Sequence, residues 1–257
     1  PLDIIPVVDI KDGNFDIVIA VTDRLESLTG NLESLQAPLG NYSQNDKAFD
    51  KQPVLILTDA VPSGRLIYSA TGPLDRDYDD VRRYADAAEA GIKRALSAGS
   101  KRPLLVCPLD PRFEKAGIVA SLAVLQALYV PLELREAGIG PRVDSLGVWF
   151  SDQMDMDEIV IVLKALESGR IVTRDIGGSD PERMAPPKVE EYLLEAFSGS
   201  SIVINVTSDV NLLQKDYPLL SAVNRAAHAV DRHRARLIFM EYTGDGNISK
   251  TLFLVGK

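Results

Sequence analysis

Short apolar segments alternate with segments of helical periodicity along the sequence, and this alternation constrains the fold more than any other feature. The apolar segments are rich in β-branched residues and end at turn residues, which is typical of strands. In the first part of the chain they lie at residues 15–21, 54–57, 66–68, 104–106 and 146–150. Strands that alternate with helices pack as layers, so the sequence predicts an α/β fold.

Two segments between these strands have the apolar spacing of amphipathic helices. In residues 78–95 and 119–128, apolar side chains recur three and four positions apart, which places them on one face of a helix. Such faces can cover a sheet. We therefore expect residues 1–154 to form an N-terminal α/β domain with a mixed sheet flanked by helices.

A long helical pattern over residues 155–175 is predicted to link this domain to a second one. Residues 177–187 follow and are rich in glycine and proline, which do not propagate a helix. We interpret residues 176–257 as the start of a second, catalytic α/β domain, incomplete because so short a segment has little apolar area to bury. Its predicted elements are a helix from Pro187 or Lys188, strands at 201–206, 236–242 and 251–256, and a helix at 217–230.

Charge and composition exclude several classes of protein. The formal net charge of −9 argues against a general binder of nucleic acid or anionic membranes, because phosphate contacts require clustered Lys and Arg. No apolar run reaches the roughly 18 residues that a membrane helix needs, and the first residues carry no secretion signature. The single cysteine, Cys107, lies in an apolar segment, excludes an intrachain disulfide framework and fits a reducing, cytoplasmic setting.

Five short motifs follow one another in the second part of the chain: Arg174-Asp175, Met184-Ala-Pro186, Ala222-Val-Asn-Arg225, the strand 236–242 and Val255-Gly-Lys257. In this order they resemble the leucyl aminopeptidase (cytosol aminopeptidase) family. The resemblance is firmest over residues 170–257, and residues 71–80 suggest an atypical branch of that family. In the family a Val-Gly-Lys strand end opens a two-metal site, so the resemblance implies that Lys257 is the first metal ligand.

The resemblance further implies a metal-dependent aminopeptidase that releases N-terminal amino acids from peptides. It implies two divalent metal ions, zinc or manganese, and a homo-hexamer. A lysine amine binds a metal only when its pKa falls far below about 10.4, which burial beside a dication brings about. Lys257 is one ligand, and one ligand cannot hold a metal. We therefore expect this chain alone to be inactive, with no catalytic residue of its own, and the C-terminal catalytic portion to be a continuing or separate chain.

Three positions depart from the family pattern and suggest an alternative to the aminopeptidase function. Gly178 and Glu182 stand where most members carry Asn, and Asp180 stands where Pro is usual. The alternative is a non-catalytic structural or interaction subunit that retains the aminopeptidase fold. Sequence following Lys257 would discriminate between the two, because an enzyme must continue with the aspartates and glutamate of a two-metal site.

The segment from Gly244 to Thr251 differs at one position from the sequence pattern of a phosphate-binding loop. Ser249 stands where such a loop requires glycine, and the sequence predicts that a strand follows, where a phosphate loop needs a helix N-terminus. Asp-Gly between two apolar runs instead favours a β-hairpin turn at Gly244-Asp-Gly246.

Two charged clusters are interpreted as structural. Asp75, Asp77, Asp79 and Asp80 precede a predicted helix, whose dipole favours acidic residues. His228 and His233 are five positions apart, whereas a metal-binding pair on one helix face needs a spacing nearer four. The arginines around this pair, Arg225, Arg232, Arg234 and Arg236, leave open a contact with a neighbouring subunit or an acidic partner.

Overall fold

The computed structural model describes residues 2–151 and 155–256. It separates the chain into two compact units, residues 1–174 and residues 175–257. The domain and linker boundaries inferred from the sequence stay predictions. Among the described residues, no helix is both long and apolar enough to cross a membrane.

The first unit is built on a six-stranded mixed sheet with the strand order β1-β6-β5-β2-β4-β3. Only β3 runs antiparallel to its neighbour, β4; the other neighbouring strands are parallel. All six residues of β2 are buried, as expected for a strand covered on both faces. The strands are β1 (Asp3–Pro6), β2 (Ile17–Thr22), β3 (Val54–Leu57), β4 (Arg65–Ala70), β5 (Pro103–Val106) and β6 (Ser145–Trp149).

Helices cover both faces of this sheet and confirm the predicted α/β fold. On one face α2 (Arg82–Ser97), α3 (Ala116–Leu128) and the beginning of α5 (Met156–Gly178) bury residues such as Ile92, Val124 and Leu163. On the other face a 3₁₀ helix (Gly30–Leu35) and α1 (Gln36–Ser43) bury Leu32, Leu35 and Leu39. A short helix, α4 (Leu132–Glu136), precedes β6.

The second unit begins within the last turn of α5 and contains a two-stranded antiparallel sheet. Its strands, β7 (Val203–Thr207) and β8 (Leu237–Glu241), pair with Val203 opposite Glu241. Proline occupies the first position of the first helix, where the absent N–H costs nothing. The helices of this unit are α6 (Pro186–Ala196), α7 (Val210–Asp216) and α8 (Pro218–Asn224).

The structure corrects three predictions in the second unit. Residues 251–256 do not form a strand, and the turn at Gly244–Gly246 does not close a hairpin. A strand is stable only when a neighbour satisfies its backbone, and β8 pairs with β7 alone among the described residues. The helix predicted at 217–230 ends at Asn224, because the following amides bond mostly three residues back, as in Ala227 N to Asn224 O at 2.9 Å.

Candidate functional site

Arg174 of the Arg-Asp motif is held by side chains of the first unit. It forms an ion pair with Glu167 and a hydrogen bond with Gln126. Its guanidinium carbon lies 4.5 Å from the ring centroid of Tyr129, a cation–π distance. Arg170, one turn earlier, donates to the Leu122 carbonyl at 2.9 Å. The motif arginine therefore helps to fasten α5 to α3.

Asp175, the next residue, is held within the second unit. Its side chain is buried, with 1% of the residue exposed, and accepts a hydrogen bond from the Tyr192 hydroxyl at 2.6 Å. Tyr192 lies on α6. A buried carboxylate that accepts a short hydrogen bond is costly to remove, because its donor would be left unsatisfied. The motif aspartate thus secures α6 against the end of α5.

The loop that departs from the family pattern forms its own hydrogen bonds. The Asp180 carboxylate accepts from the Glu182 amide at 2.9 Å and from the Arg183 amide at 3.3 Å. The Met184 amide bonds to the Asp180 carbonyl at 2.9 Å. Aspartate here closes the turn that leads into α6, which is a common use of its short side chain.

Glu182 is paired with two of the basic residues noted in the sequence. Its carboxylate forms an ion pair with Arg232 and lies 2.8 Å from His233 Nε2. The hydrogen bonds from His233 and Arg232 lower the pKa of Glu182. Arg236 is likewise paired with Glu190 on α6. Much of the basic cluster is therefore neutralised by carboxylates of the same unit.

Two other motifs meet at the start of β8. The Asn224 side-chain oxygen accepts from the Ala235 amide at 2.9 Å, which joins the Ala-Val-Asn-Arg motif to the segment before the strand. Arg236, the first residue of the next motif, donates to the Ala235 carbonyl at 3.1 Å. These contacts support the backbone of the second unit.

Lys257, the predicted metal ligand, lies outside the described residues. The residues just before it are exposed, and Val255 is 95% exposed. Residues 2–151 and 155–256 contain no group of three or more His, Cys, Asp or Glu placed to hold a metal ion. The described residues therefore do not by themselves assemble a cluster of metal ligands.

In the acidic segment before α2, Asp79 and Asp80 form hydrogen bonds with neighbouring arginines. Asp79 accepts from Arg76 at 2.8 Å and from Arg83 at 3.0 Å, and Asp80 accepts from Arg82. Cys107 is buried, and burial raises the pKa of its thiol. The Asp79 side chain is buried, although the sequence predicted a solvated helix start, and α2 begins after the acidic run with no acidic residue in its first turn.

A polar network that the sequence did not predict lies at the carboxyl edge of the first sheet. The Asp110 carboxylate accepts from the Tyr84 hydroxyl at 2.7 Å and from Arg112 Nε at 2.9 Å. Arg112 also reaches Asp23, after β2, at 2.6 Å. Burial acts to raise the pKa of Asp110, but the hydrogen bonds from Arg112 and Tyr84 outweigh it and lower the pKa to about 2. The Asp-Pro-Arg sequence that follows β5 is the feature from which this network could have been predicted.

Comparison with known proteins places this fold among the aminopeptidases. The chain is 40% identical over 262 residues to the protein named "Putative aminopeptidase W07G4.4" of Caenorhabditis elegans, in a match that covers 99% of this chain and 50% of that protein. The chain thus spans about half the length of this curated relative. A scan against models of protein families found no match.

Solved structures support the same fold assignment. A tomato leucine aminopeptidase mutant superposes with a TM-score of 0.66 at 13% identity, covering 98% of this chain and 52% of that one. The bottromycin maturation enzyme BotP in complex with Mn gives a TM-score of 0.57 at 15% identity, covering 82% and 42%. The chain therefore has the fold of part of a leucine aminopeptidase.

Proposed function

We propose that this chain is the N-terminal portion of a metal-dependent aminopeptidase of the leucyl aminopeptidase family, which releases N-terminal amino acids from peptides. The observation that carries the proposal is the aminopeptidase relative, 40% identical across 99% of this chain. The ordered motif series that ends at Lys257 supports it independently.

In this proposal residues 1–154 form an N-terminal domain, residues 155–175 a linker helix and residues 176–257 the start of the catalytic domain. The exposure of apolar side chains in the second unit supports the last assignment. On β8, Phe239 is 59% and Met240 39% exposed. Strands with continuous apolar sequence are normally covered on both faces, so this small sheet has the composition of part of a larger one.

The proposed cofactors are two divalent metal ions, zinc or manganese. Lys257 would be the first ligand, as a neutral amine, and the remaining ligands would come from the catalytic portion that continues this chain or joins it as a separate one. Bound metal would supply an activated water and an electrophile for the peptide carbonyl. The manganese in the BotP structure supports this choice of metal. On the basis of the resemblance, we also propose that the whole protein forms a homo-hexamer.

The second candidate function is a non-catalytic subunit with the same fold. It is favoured by the loop after α5, where Glu182 replaces the usual Asn and is occupied by Arg232 and His233. A loop whose carboxylate is committed to structural ion pairs has less freedom to contact a substrate.

The test is hydrolysis of an N-terminal leucyl peptide, with manganese, by the whole protein and by the 257-residue chain. We expect activity from the whole protein, none from the chain alone, and a loss of at least about 100-fold in kcat/KM on Lys257→Ala. Lys250→Ala is the matched control, because Lys250 is an exposed lysine of the same segment. A whole protein that binds no divalent metal and leaves the peptide intact would support the non-catalytic subunit instead.

A further inference from the structure

We propose that the outer edge of β3 pairs antiparallel with β3 of a second copy of this chain, across a two-fold axis. β3 is the last strand of the six-stranded sheet and is hydrogen-bonded on one side, to β4. An edge strand presents a row of unpaired N–H and C=O groups that can template another strand. Such pairing would assemble two chains and does not depend on the proposed peptidase activity.

The two edges of this sheet differ in how they are protected. β1, at the opposite edge, contains Pro6 and also Asp3, whose carboxylate lies 3.7 Å from Lys164. Proline and charge are common protections of an exposed edge. β3 reads Val-Leu-Ile-Leu and has neither. Because β3 is the unprotected edge of this six-stranded sheet, pairing through it joins two sheets and does not propagate into an open-ended stack.

The hydrogen bond at the end of β3 shows which of its backbone groups face outward. The Thr58 amide donates to the Gly64 carbonyl, across from it, at 3.1 Å. Backbone groups alternate in direction along an antiparallel strand, so Ile56 and Val54 also face β4. Leu55 and Leu57 therefore direct their N–H and C=O groups away from the sheet.

These outward groups define a register centred on Leu55. Two copies of Leu55 would exchange two hydrogen bonds, and each Leu57 amide would meet the carbonyl of Pro53 in the other copy. Proline lacks only the N–H, so its carbonyl remains a usable acceptor. Leu57 is 82% exposed in the single chain, and this register would cover it with Pro53 and Leu55 of the second copy.

The charges at the two ends of β3 favour the same register. Lys51 precedes the strand and Asp59 follows it, and both are exposed. Neither makes an ion pair within the part of the chain that the structure describes. Pairing centred on Leu55 brings the Lys51 end of each copy beside the Asp59 end of the other, so the two-fold axis creates two opposite-charge contacts. Opposite charges across neighbouring strands are stabilising, and like charges are destabilising.

The experiment is sedimentation velocity of the 257-residue chain over a range of concentrations. We expect a reversible monomer–dimer equilibrium. Lys51→Glu and Asp59→Lys should each raise the dimer Kd by about tenfold, because each places like charges together at both symmetric contacts. The double variant, Lys51→Glu with Asp59→Lys, should return the Kd to that of the unsubstituted chain, since it exchanges the two charges and keeps each contact between opposite charges. Lys11→Glu, an equivalent change on an exposed lysine after β1, is the matched control.

A second variant tests the backbone pairing itself. Leu57→Lys should abolish the dimer while preserving the fold, because that side chain is exposed in the monomer. Circular dichroism and the unfolding midpoint check that preservation. A chain that stays monomeric at all concentrations would overturn the proposal. So would a dimer that is insensitive to Leu57→Lys, or single charge variants that the double variant does not rescue.

Discussion

At the scale of single residues, Asp110 is the clearest case of a charge that the fold depends on. Its side chain is only 7% exposed, and Arg112 and Tyr84 both donate to it. A carboxylate bound in this way has a lowered pKa, here about 2. Its contribution to stability is present above the pKa of the unfolded chain, near 3.9, and is lost as the pH falls towards 2.

We therefore predict that Asp110→Asn lowers the free energy of unfolding by about 1–3 kcal/mol at pH 7, because charged hydrogen bonds are lost. The difference from the unsubstituted chain should shrink at pH 3. Urea unfolding at the two pH values measures it, with Asp144→Asn as a control at an exposed aspartate. An equal difference at both pH values would show that the charge of Asp110 is not what stabilises the network.

Single residues were predictable from the sequence where their role is local. Cys107 lies in an apolar segment and is buried as expected. Arg112 and Asp23, by contrast, are 89 positions apart and meet only because β2 and β5 are neighbours in the sheet. No local pattern encodes that meeting. The pairing of Glu182 with His233, 51 positions away, was hidden for the same reason.

At the scale of elements, two glycines show how the same substitution can have opposite effects. Gly169 lies in α5, and a Cβ added there would meet no atom within 4 Å. Gly147 lies in β6, where a Cβ would come within 2.5 Å of the Phe15 ring. The first site has room for a methyl group, and the second lacks it.

We predict that Gly169→Ala raises the free energy of unfolding by about 1 kcal/mol, because alanine restricts the unfolded chain and favours a helix. Gly147→Ala should lower it by about 1–3 kcal/mol through overpacking. Thermal unfolding of both variants beside the unsubstituted chain is the measurement. Effects of the same sign would contradict this account of the two sites.

Periodicity predicted most elements, because it records which face of a segment is buried. The strand at residues 54–57 has the predicted bounds, and the long helix predicted at 155–175 is present as α5. The strand predicted at 251–256 was wrong, although the segment is apolar. An apolar run reports that a segment can be buried, whereas a strand also requires a neighbour, and sequence alone does not show the neighbour.

At the scale of the whole molecule, apolar burial is unequal between the two units. In the first unit, clusters of buried residues cover both faces of the sheet. Among the described residues of the second unit, the buried hydrophobic side chains are Met184, Ala185, Leu193 and Leu213. Regions with few buried apolar contacts open with lower free energy than the global unfolding.

We predict that amides of β7 and β8 exchange hydrogen at least about 100-fold faster than those of β2 and β5 in the 257-residue chain. Hydrogen–deuterium exchange followed by mass spectrometry resolves these strands. Addition of the catalytic portion should slow exchange in β7 and β8 selectively. Equal protection of both sheets in the chain alone would mean that the second unit is stable without further polypeptide.

The uninterrupted course of α5 bears on how this protein can be divided. The two compact units meet between residues 174 and 175, inside a helix that runs from Met156 to Gly178, whereas domain boundaries usually fall in exposed linkers. A gene fusion joined at that point would sever a helix and separate Arg174 from Asp175. A chimaera that exchanges the first unit should therefore carry α5 whole, and a circular permutation would be better opened at the exposed Gly140.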